Sequence, residues 1–323
     1  MRGSLGIGRR AVLAGSAVAM LPGAARAEEI SVTQYGTSLY GLPFTVAQEA
    51  GAFEKAGIHL TGFMGSAGGG TTVRNLFASE TPYGEVAVGA ALAAAAGGLP
   101  VKIVNVGTRS VAEASLVTMP GSDVKTLADL VGKKVALTSP QGVSEMLFLL
   151  ALRTAGLDPS RVQRVYSGGY GPSLTLLDQG AVAAAALIEP LSIQRGARYR
   201  TVLAYRDVLP PMTTSFGITS PAYAAAHGDK LRAIIAGRRE GVIAIYRDPA
   251  AAGVVCAQAY DLPPAVAAVA VQNMVGPRMW SEGGFVQAEL DRMVDALKLI
   301  GQVTGPPDWG GLIDRTFLPA DLL

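Results

Sequence analysis

The residues of this chain that could do chemistry are small and polar, and they recur just after short apolar runs. Gly36-Thr37-Ser38-Leu39-Tyr40 follows the first run, Gly65-Ser66-Ala67-Gly68-Gly69-Gly70-Thr71 the second, and Gly89-Ala90 the third. Ser139-Pro140-Gln141-Gly142, Ser167-Gly168-Gly169-Tyr170-Gly171 and Glu189-Pro190 come later. Most of these turns open a helical stretch. Such a turn offers backbone N–H groups, small hydroxyls and the positive end of a helix dipole, which together suit an anion or a polar head group. Glycine also lets the backbone come close to a ligand. A single glycine cluster is as readily a flexible turn as a binding loop. Recurrence after strand upon strand is what points to a ligand site. The candidate ligand contacts are therefore Thr37, Ser38, Leu39, Tyr40, Gly68, Gly69, Gly89, Ala90, Ser139, Gln141, Gly142, Gly169 and Tyr170. Tyr35, Tyr40 and Tyr170 either wall a cleft or are buried in the body of the protein. Arg109 is placed to hold a carboxylate or sulfonate in a bidentate contact, or to make a structural contact. Glu189 either accepts hydrogen bonds from a ligand amine or caps its turn.

Other chemistries find little support. His59 and His227 are the two histidines and Cys256 the one cysteine. That leaves no zinc-ligand spacing and no intramolecular disulfide. Cys256 lies in an apolar run and reads as a small core residue. No Ser/His/Asp or Cys/His arrangement stands out, so no catalytic residue is assigned. Neither a metal nor a cofactor is expected. The function expected is binding of a small molecule, not its transformation.

The elements that must position these turns alternate strand and helix. The pattern predicts strands over 30–35, 58–64, 85–88 and 101–106, with helices over 43–56, 71–79 and 90–96. A second set follows, with strands over 115–119, 134–138, 164–166 and 182–188. Its helices span 126–130, 143–155 and 173–179. A strand over 214–219 leads to a helical part over 222–247, 249–260, 264–273 and 285–301. Alternation of this kind implies an α/β protein with mostly parallel or mixed sheets flanked by helices. Two such units joined near 107–115 and again near 208–216 make two lobes with a two-crossing hinge. Residues 28–110 plus 213–323 form one lobe and 111–212 the other. A cleft between hinged lobes is where a small ligand would be gripped.

The first 27 residues read as an export signal. Arg2, Arg9 and Arg10 precede an apolar run from Ala11 to Leu21, and Ala25-Arg26-Ala27 is a cleavage sequence. The Arg9-Arg10 pair suggests the twin-arginine route, with Sec as the alternative. The run is shorter than the ~20 residues a membrane span needs. Cleavage near Ala27 would release a periplasmic protein that does not insert in the membrane. The signal holds four arginines and no acid, so 27 basic and 25 acidic residues become 23 and 25 in the mature chain, a net of −2. That balance argues against nucleic acid as a partner. A monomer is the default expectation.

Several segments together resemble the nitrate/sulfonate/taurine-type substrate-binding proteins of ABC importers. They are Leu42-Pro43-Phe44-Thr45-Val46-Ala47-Gln48-Glu49-Ala50-Gly51-Ala52-Phe53, Val86-Ala87-Val88-Gly89, Thr126-Leu127-Ala128-Asp129-Leu130-Val131-Gly132-Lys133-Lys134, and Leu177-Asp178-Gln179-Gly180-Ala181 followed by Glu189-Pro190. The resemblance implies a type II periplasmic binding protein fold. It implies a small organic ligand, anionic like a sulfonate or an aromatic carboxylate, and an ABC permease as partner. Ala183 stands where the family commonly has Asp, and no Trp precedes Glu189. The fold is similar as well to pyrimidine-forming enzymes of thiamine synthesis. Those rely on a reactive histidine and a cysteine-rich motif that this chain does not match. An exported enzyme and a ligand-sensing partner of a receptor are the alternative readings.

Overall fold

The computed structural model describes residues 28–66 and 68–323. The expected export signal lies outside the described residues. The first sheet starts with β1 (Glu28–Thr33). A 3-10 turn leads into α1 (Leu42–Glu49), with Pro43 in its first turn. The single helix expected over 43–56 is broken, because Gly51 takes φ 62 and starts α2 (Ala52–Ala56) on a new axis. Left-handed backbone of this kind is cheap only for glycine. β2 (Leu60–Ser66), α3 (Gly69–Ala78), β3 (Tyr83–Ala87), α4 (Val88–Ala96) and β4 (Lys102–Val106) complete this part.

The chain then crosses to the second sheet. This sheet contains β5 (Ala114–Thr118), β6 (Lys134–Leu137), α5 (Val143–Thr154), β7 (Gln163–Tyr166), α6 (Tyr170–Asp178) and β8 (Ala184–Ile188). Two further elements, α7 (Leu191–Arg195) and the strand β9 (Arg200–Ala204), went unforeseen. β9 sits at the sheet edge and is only partly buried, with Val202 and Leu203 packed against the core. The helix expected over 126–130 is one 3-10 turn, Ala128–Leu130.

The return crossing delivers β10 (Ser215–Thr219). Helices follow as α8 (Pro221–Ala226), α9 (Gly228–Arg247), α10 (Pro249–Ala259), α11 (Pro264–Val275), α12 (Gln287–Leu299) and the short α13 (Trp309–Leu312).

Both sheets have five strands, in the orders β2-β1-β3-β10-β4 and β7-β6-β8-β5-β9. Each is mixed, and the antiparallel strands are the ones that arrive from the hinge. β10 begins opposite the end of β3, with Ser215 paired to Ala87, and runs back antiparallel between β3 and β4. β5 begins opposite the end of β8, with Ala114 paired to Ile188, and runs antiparallel to β8 and β9. A strand entering from the hinge starts at the carboxyl ends of its parallel neighbours, so it must run against them. The carboxyl ends of both sheets therefore face the hinge.

The two crossings are hydrogen-bonded to each other. Gly107 N donates to Ser215 O at 2.9 Å and Thr214 N to Thr108 O at 2.9 Å. The Thr108 and Thr214 hydroxyls lie 2.6 Å apart. Beneath them Arg238 and Glu85 form a fully buried ion pair. Helix α12 leaves the first sheet to pack against α5 of the second, joining Met293, Leu297 and Ile300 to the cluster that holds Met146.

Helices α1 and α9 make one of the closest packings. A Cβ built on Gly241 would lie 2.0 Å from Pro43 O and 3.1 Å from the Ala47 Cβ. Gly241→Ala must push two helix backbones apart and is expected to cost about 1–3 kcal/mol. A lower urea midpoint would show this, and an unchanged midpoint would contradict such close packing.

Candidate functional site

A cleft of 1170 Å³ opens between the two sheets at their carboxyl ends. This is where an open parallel sheet presents a ligand site. Four helices begin at its wall: α3, α4, α5 and α6. Their N-caps are Gly68, Ala87, Gly142 and Gly169, and none makes a side-chain capping bond. Ser220, Asp248 and Asp308 cap helices α8, α10 and α13, whereas α1, α2, α7, α9, α11 and α12 also lack a side-chain cap. The four uncapped ends at the wall leave N–H donors and partial positive charge at the cleft, although Val88 N at the start of α4 already donates to Thr214 O at 3.1 Å. The turn before α5 is held in place by Glu145. One carboxylate oxygen takes Gln141 N at 2.6 Å, and the other takes Arg164 Nη1 at 2.9 Å and the Tyr166 hydroxyl at 2.5 Å. Gln302, just after α12, donates to Gln141 O at 2.8 Å and so bridges the two lobes at the cleft rim.

Among the residues singled out from sequence, Thr37, Tyr40, Gly68, Gly69, Gly89, Ala90, Ser139, Gln141, Gly142, Gly169 and Tyr170 line this one cleft. The other four are placed elsewhere. Ser38 is buried and caps the turn at Tyr40 N, and Leu39 is buried core. The Arg109 guanidinium is bound by Glu289, with Nε 3.2 Å from Oε2. Glu189 is buried, accepting from Arg206 Nη1 at 3.0 Å and Asn273 Nδ2 at 2.9 Å. Burial raises its carboxyl above the usual range, though these two bonds work against the shift. Tyr35 lies outside the lining, bonded to Thr45 at 2.8 Å and packed on Phe63 and Tyr260.

Other lining residues were not foreseen, chiefly Glu113, Thr214 and Tyr260 at the hinge side, and Met293, Leu297 and Ile300 at the rim. Glu113 is 7% exposed, and Leu39 N donates to its Oε2 at 3.3 Å. Burial pushes its carboxyl up to about 8, against the pull of that bond. The unfolded chain ionises near the ordinary carboxylate range, so this group favours the fold at low pH. That contribution is lost as pH rises from about 4.5 to about 8. Tyr40, Tyr170 and Tyr260 are all raised, first by burial; Glu113 comes next for Tyr40 and Tyr170, while for Tyr260 it follows Tyr35 and Cys256. All three phenols therefore stay protonated across the neutral range.

His59 and Cys256 lie outside the cleft lining. His59 is exposed beside Glu54 at 3.5 Å. Cys256 is fully buried, and burial pushes its thiol up to about 12, which leaves almost no thiolate at neutral pH. Among the described residues no helix is long and apolar enough to cross a membrane.

The family model described as NMT1/THI5 like matches residues 39–252, which carry most of both sheets and much of the cleft wall. The chain belongs to the NMT1/THI5-like family. No curated protein matches it. Among solved structures, the periplasmic aliphatic sulphonate binding protein from Escherichia coli is similar, with a TM-score of 0.73 at 20% identity. The match covers 90% of this chain and 93% of that one. The alkanesulfonate-binding protein from Xanthomonas axonopodis pv. citri, bound to MOPS, gives 0.71 at 17% identity, over 90% and 100% of the two chains. A desulfurization enzyme gives 0.65 at 12% identity, over 90% and 97%. At such identities the likeness is one of fold. This member of the family therefore has the periplasmic binding protein fold, which in these relatives serves both binding and catalysis.

Proposed function

We propose that the protein is an extracytoplasmic solute-binding protein that captures a small organic ligand in the interlobe cleft and delivers it to an ABC permease. Residues 28–110 plus 213–323 act as one lobe and 111–212 as the other, with export and cleavage near Ala27. The observation that carries this reading is the convergence of four uncapped helix N-termini from both sheets on one cleft. Each lobe supplies two, so a ligand with an anionic end gains its full set of donors only when the lobes are together. The eleven cleft-lining residues named from sequence are its proposed contacts, joined by Glu113, Thr214 and Tyr260.

No bond need break in this mechanism, and the protein is proposed not to be an enzyme. The buried thiol and the exposed histidine support that reading. The test is native mass spectrometry of the exported protein before and after mild denaturation. A small molecule released intact at one per chain is expected. A covalent adduct or a turned-over product would instead favour the catalytic reading shared by the desulfurization enzyme's fold.

A further inference from the structure

Four helix ends account for an anionic group but not for the carboxyl on the hinge side of the cleft, close to Tyr170 at the start of α6. There the lining includes a carboxyl, Glu113, among three phenols, Tyr40, Tyr170 and Tyr260. Glu113 sits in the first hinge crossing, held by two backbone contacts. Its Oε2 accepts from Leu39 N at 3.3 Å and its carbonyl accepts from Glu189 N at 2.8 Å. Among the described residues no cation pairs with it. The nearby arginines are engaged elsewhere: Arg206 with Glu189, Arg109 with Glu289, and Arg238 with Glu85. Arg74, the one arginine in the lining, bonds Thr71 at 2.9 Å on helix α3. A buried carboxyl without a counter-ion is costly unless something pairs with it.

We infer that Glu113 selects the ligand, by accepting hydrogen bonds from a planar N–H-bearing cation of the amidinium kind on the hinge side of the cleft. This rests on the solute-binding reading and adds the chemistry of the ligand's second end. A flat, delocalised cation matches a carboxylate through paired N–H donors. It also finds favourable faces on tyrosine rings. The ligand is then dipolar, with its anionic end on the helix N-termini and its cationic end on Glu113.

The groups facing Glu113 decide its pH behaviour. They are Tyr40 from the turn after β1, Tyr170 from α6, Tyr260 beyond α10, and Glu189 after β8. The phenols remain neutral. Glu189 carries its own partners, and its charge raises Glu113 further. Without ligand Glu113 holds its proton to about pH 8. A cation must release that proton to bind, so its affinity rises with pH.

The test is calorimetry of the exported full chain with 4-amidinobenzoate and with terephthalate, which share a ring and a carboxylate and differ at the far end. Binding of 4-amidinobenzoate should tighten on the order of 100-fold from pH 6 to pH 9, given proton release from a group near pH 8. Terephthalate should bind at least about tenfold more weakly at pH 9, since a like charge meets the carboxylate. Glu113→Gln should flatten the pH profile and remove the preference. The wild-type profile alone is decisive if that variant does not fold. Equal or tighter binding of terephthalate, a flat wild-type profile, or an unaltered preference in Glu113→Gln would each overturn the inference and leave the solute-binding reading standing. So would no binding of 4-amidinobenzoate at millimolar concentration while native mass spectrometry still finds a released small molecule. If the protein also releases no small molecule, the solute-binding reading falls with it.

Discussion

Replacing Arg238 with alanine is expected to destabilise the protein by about 3–5 kcal/mol, the usual cost of leaving a buried charge without its partner. Arg238 lies on α9 and is 1% exposed, and Glu85 on β3 is fully buried. The guanidinium reaches Glu85 Oε2 through Nε at 2.8 Å, Ser281 O through Nη1 at 2.7 Å and Gly107 O through Nη2 at 2.6 Å. Ser215 closes the other side, donating to Glu85 Oε1 at 2.7 Å. One side chain thus ties the first sheet, the outgoing crossing and the loop before α12. Alanine would strand Glu85 and two carbonyls together. Urea unfolding followed through Trp280 and Trp309 fluorescence measures the loss. The double variant Arg238→Met with Glu85→Met should be less harmful than Arg238→Ala, since no lone charge remains. A single variant with wild-type stability would mean that water reaches the site and solvates Glu85.

Gly69→Val should abolish most ligand capture, lowering the small molecule retained by at least about tenfold, or about 1.4 kcal/mol of binding. Gly69 is the first residue of α3, and a Cβ there would lie 2.5 Å from the Ala90 Cβ in the first turn of α4. The N-termini of these two helices meet at the cleft. A branched side chain must wedge them apart and fill space that a ligand's anionic end would use. Overpacking also costs stability, about 1–3 kcal/mol, so a thermal melt should accompany the occupancy measurement. Full retention in a folded variant would place the ligand away from α3 and α4.

The cleft was legible in sequence where its chemistry is local. A strand end, a glycine and a helix start lie within a few residues of one another, and Gly68-Gly69 and Ser139-Pro140-Gln141-Gly142 show that grammar directly. What was not legible depends on distant partners. Arg109 was open to a ligand contact or a structural one, and nothing local could name Glu289, 180 residues away, as its partner. Glu189 looked available because Arg206 and Asn273 reach it only after the chain turns back. Glu113 is a lone acid in a segment that reads as a connector, and Tyr260 belongs to a helical part with no local sign of where it packs. Ser38 and Leu39 failed to reach the cleft for a local reason. Their turn winds into 3-10 geometry, which sends Ser38 to its own backbone and Leu39 into the core, where its carbonyl accepts from Trp280 Nε1 at 2.8 Å. Mixed sheets were among the expectations, but which strands run antiparallel was not legible, since strand direction is set by where the chain re-enters.

That re-entry also sets the order in which the molecule can form. β4 lies at the edge of its sheet, and among the described residues β10 is its one neighbouring strand, delivered more than a hundred residues later. Every strand of the second sheet, by contrast, is supplied between residues 114 and 204 without a break. During synthesis the first-made sheet must wait unfinished, with β3 and β4 unjoined, while the second sheet has all its strands in hand. Such long-range closure slows folding and leaves strand edges open in the meantime. The segment between β4 and β10 can therefore complete its sheet first, whereas the sheet that begins the chain can close only once β10 has been made.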